Sequence, residues 1–295
     1  MNVSERSKSK LLVTLGGNIG NQLFQLAGAL TLVNGDFSRL LFDERLTYLC
    51  NGPQLNKVLA SVTLLTASRR DLICYGLWPF NCYRNARIHH GFQALAQMTG
   101  HIVTYHSDPS PKQISAKEYT GESSGPAQIV GYFQHMDWVK EGSTFLLPNL
   151  TTHQVDLRLR ALGVSIRRRD DYVGNRLPLR YYAECFLKFV DRQVPFDDML
   201  ITGDTVEQLG FKAFSEVQRH HLGDNTWDEQ FVLLSSCAYS VLSNSTFAWW
   251  AAWIAHNRRQ VRTNTSPHTF YPSGWFDSSL TNLEGWSSVE KGELW

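Results

Sequence analysis

Lys10 to Leu15 is a short apolar run that stops at Gly16-Gly17. From Asn21 the apolar spacing changes to that of a helix, with Leu23, Leu26, Ala27, Leu30 and Val33 on one side. The Asn34-Gly35 turn signal follows, and Leu40 to Phe42 restarts as a strand, so the chain opens as β-α-β with a parallel sheet. Further on, Ala127 to Phe133 has strand character, and the second half alternates again. It reads as a helix from His153 to Leu162, strand Val164 to Ile166, helix Leu179 to Val190, strand Met199 to Ile201, helix Trp227 to Ser236, strand Tyr239 to Leu242 and helix Thr246 to Asn257. Ser107 to Pro126 reads as an exposed connection, and the polar, proline-containing stretch Gly142 to Gln154 as the linker between domains. The expected fold class is α/β: two doubly wound units facing one another, residues 1–150 and 151–295.

The chain's 295 residues suit two domains, and with 43% hydrophobic and 19% charged residues it reads as water-soluble and globular. Its 28 basic and 27 acidic side chains leave a net charge of +1, too little to collect nucleic acid, so any phosphate binding has to be local. Met1 to Lys10 is polar and basic, and Leu11 to Leu15 is too short for a signal or membrane segment, so a cytoplasmic location is expected. Cysteines at 50, 74, 82, 185 and 237 lack metal-ligand spacing and read as buried or idle thiols.

Three turns at strand ends carry chemistry. Gly16 to Gln25 joins a strand to a helix N-terminus, where backbone N–H groups and the helix dipole favour an anion. The same residues also fit an ordinary β-α turn capped by Asn21. Gln22 and Gln25 add amides that could hold a sugar or a phosphate. Arg167-Arg168-Arg169-Asp170-Asp171-Tyr172 follows a short strand directly; its guanidinium groups suit a pyrophosphate, and a solvated Arg–Asp run is the other reading. Ser243-Asn244-Ser245-Thr246 ends a strand and opens a helix, serving either as a cap or as an anion site, and the tryptophans at 249, 250 and 253 read as core. Together the turns point to a nucleotide or nucleotide-sugar site.

At these residues the chain resembles family 11 glycosyltransferases, the α-1,2-fucosyltransferases. Gly16 to Gln25 is similar to their opening G-G-x-L-G-N-Q-x-F-Q, and Ser243 to Trp253 matches S-N-S-T-F-x-W-W-A-A-W throughout. Gly131 to Gln134 carries G-Y-F-Q, Leu177 to Tyr182 resembles L-P-x-x-Y-Y, and Trp275 and Trp286 resemble the family's closing tryptophans. Two departures stand out. Ser165 occupies the place of the His in H-x-R-R-G-D-Y, with one extra residue before Tyr172, and Gln230 stands where Asp is common, near Asp228 and Glu229.

The resemblance implies a GT-B fold and inverting transfer of fucose from GDP-fucose to the 2-hydroxyl of a galactose-containing acceptor. Arg167 is the expected catalytic group on the β-phosphate. Asp170 and Asp171 are candidates for the base or for holding the arginines. Gly17, Gly20, Asn21, Gln22, Arg168, Asp204, Asn244, Ser245 and Thr246 are the expected donor shell, with Asp204 as nucleotide contact or helix cap. No Asp-x-Asp occurs, and no metal or other cofactor is expected. Beside the donor and acceptor sugars, no nucleic acid or protein partner is expected, and peripheral membrane association stays open. The alternatives are a transferase for another acceptor or GDP-sugar, an inactive GDP-sugar-binding homologue and, for location, the Golgi of the animal relatives.

Overall fold

In the first half, β1 (Leu11–Thr14) is buried along its whole length between two parallel neighbours, β2 (Leu40–Asp43) and β4 (Ala127–Gly131). Leu11 lies opposite both Leu40 and Ala127, and β3 (Val103–Ser107) completes the order β2-β1-β4-β3. The computed structural model describes residues 10–47, 52–75, 77, 103–107, 127–167, 177–203, 216–263, 268–275 and 278–291. By internal contacts the chain forms two compact units, Met1–Leu150 and Thr151–Trp295.

Helix α1 (Ile19–Leu32) connects β1 to β2 and is buried at every position except Asn21, as a helix in a core must be. After the short helices α2 (Leu55–Val58) and α3 (Arg69–Cys74), α4 (Met136–Leu146) packs on α1. The approach is so close that a Cβ on Gly142 would lie 2.1 Å from the Ala27 carbonyl oxygen. On one face of the sheet, Leu12 and Leu41 cluster with Leu72, Tyr75 and Leu77.

The second unit is built on six parallel strands: β5 (Arg158–Ile166), β6 (Asp198–Gly203), β7 (Gln218–His221), β8 (Cys237–Val241), β9 (Thr269–Pro272) and β10 (Trp286–Val289), in the order β10-β9-β8-β5-β6-β7. Its helices are α5 (Leu179–Asp191), α6 (Trp227–Leu234), α7 (Thr246–Thr263) and α8 (Ser278–Thr281). Tyr181, Tyr182, Phe186 and Phe189 of α5 fill a core with β5, β6, β8 and β9. Burial pushes the Cys185 and Cys237 thiols up to about 12, which makes them packing groups. No helix among the described residues is long and apolar enough to cross a membrane.

Two expectations are corrected and a third is refined. The helix expected over His153 to Leu162 is a 3-10 turn, Thr151–Gln154, followed by β5. Leu157-Arg158-Leu159-Arg160 alternates with period two, and Ala161 to Ile166 is buried between β6 and β8, which only a strand satisfies. The linker expected over Gly142 to Gln154 contains the boundary between the two units, after Leu150, and is built from the end of α4 and the 3-10 turns that follow it. The strand expected to reach Phe133 ends at Gly131, since Gly131 and Phe133 have φ of 128° and 52° and cannot continue the ladder. Ser107 closes β3, and the rest of the expected connection to Pro126 lies outside the described residues.

The tryptophans at the start of α7 are core, as expected. Trp249 stacks on Trp253 at 5.7 Å and donates its Nε1–H to the Leu280 carbonyl at 3.0 Å. His256 stacks on Trp253 at 5.8 Å and is 3% exposed. Burial pushes this imidazole down, against the pull of the Glu284 carboxylate. The folded chain therefore takes up a proton at lower pH than the unfolded chain, and stability is lost as pH drops below about 6.5, by at most about 1.4 kcal/mol per pH unit for this one proton. In urea unfolding at about pH 7 and about pH 5.5, His256→Leu should show the smaller acid loss. His268, also pushed down by burial, should account for part of what remains. Equal losses in the two proteins would remove His256 from the acid response.

Candidate functional site

Parallel strands leave unpaired backbone groups at their carboxyl ends, and in the first unit buried glutamines satisfy them. Gln25 accepts from the Gly16 N–H and donates to the Gly131 carbonyl, both at 3.0 Å, so one side chain joins the turns after β1 and β4. Gln22 donates to the Gly17 carbonyl at 2.8 Å and to the Gly52 carbonyl at 3.3 Å, and accepts from the Gln54 N–H at 2.9 Å. Gln54 in turn accepts from the Ile19 N–H at 2.6 Å. Gly17 has φ of 71°, and a Cβ there would lie 2.4 Å from Asn21 Nδ2, so only glycine fits. Asn21 accepts from Gln134 Nε2 at 3.2 Å, a second tie between the β1 and β4 turns.

This geometry corrects two expectations. Asn21 is not the cap: α1 starts at Ile19 and Asn18 holds the N-cap position. Gln22, expected in the donor shell, is 0% exposed with its amide spent on backbone, so it builds the turn instead of binding a ligand. Gln25 is committed in the same way. At the neighbouring strand end the buried Asp43 pairs with the half-buried Arg45. Arg45 clasps Asp43 through Nε to Oδ1 at 2.7 Å and Nη2 to Oδ2 at 2.6 Å. Between them burial pushes the Glu44 carboxyl up, with Thr66 hydrogen bonding as an opposing influence.

In the second unit, Arg167 leaves the carboxyl end of β5, and its Nη1 donates to the Asn244 carbonyl at 3.1 Å. The guanidinium thus lies against the Ser243–Thr246 turn at the start of α7. There Ser245 and Thr246 are half-buried, and Asn244 is buried. A helix N-terminus beside an arginine favours an anion by dipole and by charge. Ser165, one step back in β5, shares a hydrogen bond of 2.9 Å with Ser243 and borders a small cavity whose lining includes Ser240, Ala248 and Ala252. A side chain larger than serine would have to enter that cavity.

The adjacent tyrosines of α5 hold both strand ends. Tyr181 donates to the Leu242 carbonyl at 2.6 Å, and burial keeps its phenol protonated by holding its pKa well above the usual value. The Tyr182 hydroxyl accepts from the Arg167 N–H at 3.1 Å. Neither was assigned a role from sequence, although Leu177 to Tyr182 stood out as a motif, because tyrosines in an amphipathic helix read as packing. Glu229 forms a capping box with Thr226, and Gln230 joins Thr202 at the end of β6 to the Asn225 carbonyl. Gly20 is buried in the first turn of α1. The expected residues Arg168, Asp170, Asp171 and Asp204 lie outside the described residues.

The family model for glycosyl transferase family 11 matches residues 126–273, half of the 295-residue chain. The chain belongs to glycosyl transferase family 11. The matched segment of this family 11 glycosyltransferase runs from β4 through the arginine turn and α7 to β9. An α-1,2-colitosyltransferase of Escherichia coli is 22% identical over 206 residues, covering 60% of this chain and 67% of that protein. The O-antigen biosynthesis glycosyltransferase WbnK of Escherichia coli is 24% identical over 134 residues, covering 41% of this chain and 42% of WbnK. Among solved structures, POFUT1 in complex with GDP-fucose superposes with a TM-score of 0.51 at 12% identity, covering 91% of this chain and 99% of that one. The fold is of the GT-B type.

Tyr182→Phe removes one hydroxyl and leaves the partly buried Arg167 N–H without that acceptor, a change worth about 1–2 kcal/mol. In calorimetric titration with GDP the variant should bind about five- to tenfold more weakly while urea unfolding stays cooperative. Unchanged GDP affinity would show that this bond does not hold the arginine for its ligand.

Proposed function

We propose that this chain transfers L-fucose from GDP-fucose to the 2-hydroxyl of a β-galactoside, with inversion and without a metal ion. The observation that carries the reading is the docking of Arg167 on the turn that opens α7, at adjacent carboxyl ends of β5 and β8. The second unit holds the donor in this scheme. Its diphosphate meets the Arg167 guanidinium and the N–H groups of the helix start, with Ser245 and Thr246 as hydroxyl partners. Arg168 and Asp204 are the further donor contacts we assign. The first unit takes the acceptor.

The acceptor hydroxyl oxygen attacks C1 from the face opposite GDP. The bond between C1 and the β-phosphate oxygen breaks, its electron pair stays on that oxygen, and GDP leaves. Negative charge grows on the β-phosphate during the step, so a cation fixed beforehand by backbone hydrogen bonds lowers the barrier without reorganising. The hydroxyl proton passes to a carboxylate, for which we propose Asp170 or Asp171. The fucosyltransferase reading is supported by the family and by the likeness to POFUT1 in fold. A second reading is favoured by the colitosyltransferase relative: another GDP-sugar, such as GDP-colitose, with the same α-1,2 linkage.

Release of GDP from GDP-fucose, with and without lactose or N-acetyllactosamine and in the presence of EDTA, tests the proposal. Acceptor-dependent release should survive EDTA and fall about a hundredfold or more in Arg167→Ala, the scale for removing a group aimed at developing charge. Release with GDP-colitose alone would move the chain to the second reading. GDP binding without turnover on any donor would make it a binding protein.

A further inference from the structure

Tyr132 is the aromatic one among the exposed large hydrophobic side chains of the described residues, at 46% exposure. It stands in the Gly131–Gln134 turn at the carboxyl end of β4, the edge where open α/β sheets take ligands. Its backbone is fixed on both sides. Gly131 has φ of 128° and its carbonyl accepts from Gln25 at 3.0 Å. Phe133 has φ of 52°, a region that bulky L-residues enter only at a cost in free energy.

Packing holds Phe133 in that conformation. Its ring is 4% exposed, meets Trp138 edge-on at 5.4 Å, and fits against Gly28, where a Cβ would lie 2.7 Å from Phe133 Cγ. With Phe133 wedged inward, its neighbour's ring stands outward on a rigid base. A strained turn over-determined by its surroundings is a common mark of a site.

The turn that carries this ring has a particular chemistry. Gln134 and Asn21, both half-buried, present a hydrogen-bonded amide pair from the same edge, and the turn Gly131-Tyr132-Phe133-Gln134 carries no charge. An aromatic face with neutral amides on the same turn suits a neutral polyol with one apolar face, and the turn brings no cation for a diphosphate. We propose that Tyr132 is the stacking platform of the acceptor site, receiving the apolar face of a hexopyranoside, with the Gln134–Asn21 amides as its polar rim. The assignment to an acceptor rests on the glycosyl-transfer reading above.

Tyr132→Ala, Tyr132→Phe and Tyr132→Trp separate the ring from the hydroxyl and from the fold. In steady-state transfer, Tyr132→Ala should raise the acceptor KM about five- to tenfold, the scale of one aromatic stacking contact, while Phe and Trp keep most of the affinity. GDP affinity, measured by calorimetry, should stay within about twofold of the parent in all three, since no diphosphate contact is removed. An unchanged acceptor KM in the alanine variant would overturn the platform and make the exposed ring a by-product of the Phe133 wedge. A loss of GDP affinity would overturn it by moving Tyr132 to the donor. If the parent chain transfers no sugar, saturation-transfer NMR with methyl β-galactoside, β-glucoside and α-mannoside still decides. Signals lost only in the alanine variant would support the platform while the transferase reading fails, and no signal with any of them in the parent would overturn both.

Discussion

The architecture of both candidate sites depends on hydrogen bonds from buried side chains to backbone at the carboxyl ends of parallel strands. A parallel sheet directs its loops to that edge, where backbone N–H and carbonyl groups have left the ladder and still need partners. In the first unit glutamines supply them: Gln25, Gln22 and Gln54. In the second, tyrosines do: Tyr181 on the Leu242 carbonyl and Tyr182 on the Arg167 N–H. Each bond is worth little by itself, but leaving its partner unsatisfied inside the protein costs about 1–3 kcal/mol. The turns are therefore shaped by satisfaction of the backbone, and the groups that remain half-exposed on them, Asn21, Arg167, Ser245 and Thr246, are the ones open to a ligand.

Much of this was legible in the amino-acid sequence, for stateable reasons. β1, α1 and β2 announced themselves because Gly16-Gly17 and Asn34-Gly35 mark the changes of periodicity. The arginine and serine turns were legible because short polar runs directly after apolar ones are unusual. β5 was misread over its first half because Leu157 to Leu162 satisfies a helical and a strand pattern equally over so few residues, and only pairing with β6 and β8 decides. Gln22 reads as a ligand-binding group because a polar side chain in an apolar turn looks the same whether it faces a substrate or a carbonyl. The tyrosines of α5 were passed over for the converse reason: a buried aromatic ring hides the work of its hydroxyl.

Ser165 marks where this chain departs from the family pattern. Its hydroxyl shares a hydrogen bond with Ser243, so it ties the strand before the arginine turn to the strand before the serine turn. A small cavity lies at its side, walled in part by Ala248 and Ala252 on α7. Arg167 nevertheless reaches the Asn244 carbonyl. The Asn244 carbonyl and the Tyr182 hydroxyl thus take part in seating the arginine, with a serine in the position of the histidine.

β7 ends the second sheet, and its composition has a consequence for the behaviour of the molecule in concentrated solution. Gln218, Arg219, His220 and His221 lack the apolar alternation of a strand, and the segment is a strand because β6 offers it a ladder. An edge of this kind is a template on which a further chain could assemble. Here the template carries the fixed positive charge of Arg219, so two copies that approach edge to edge bring like charges together. Charge on this edge strand thus works against extension of the sheet by a further copy of the chain.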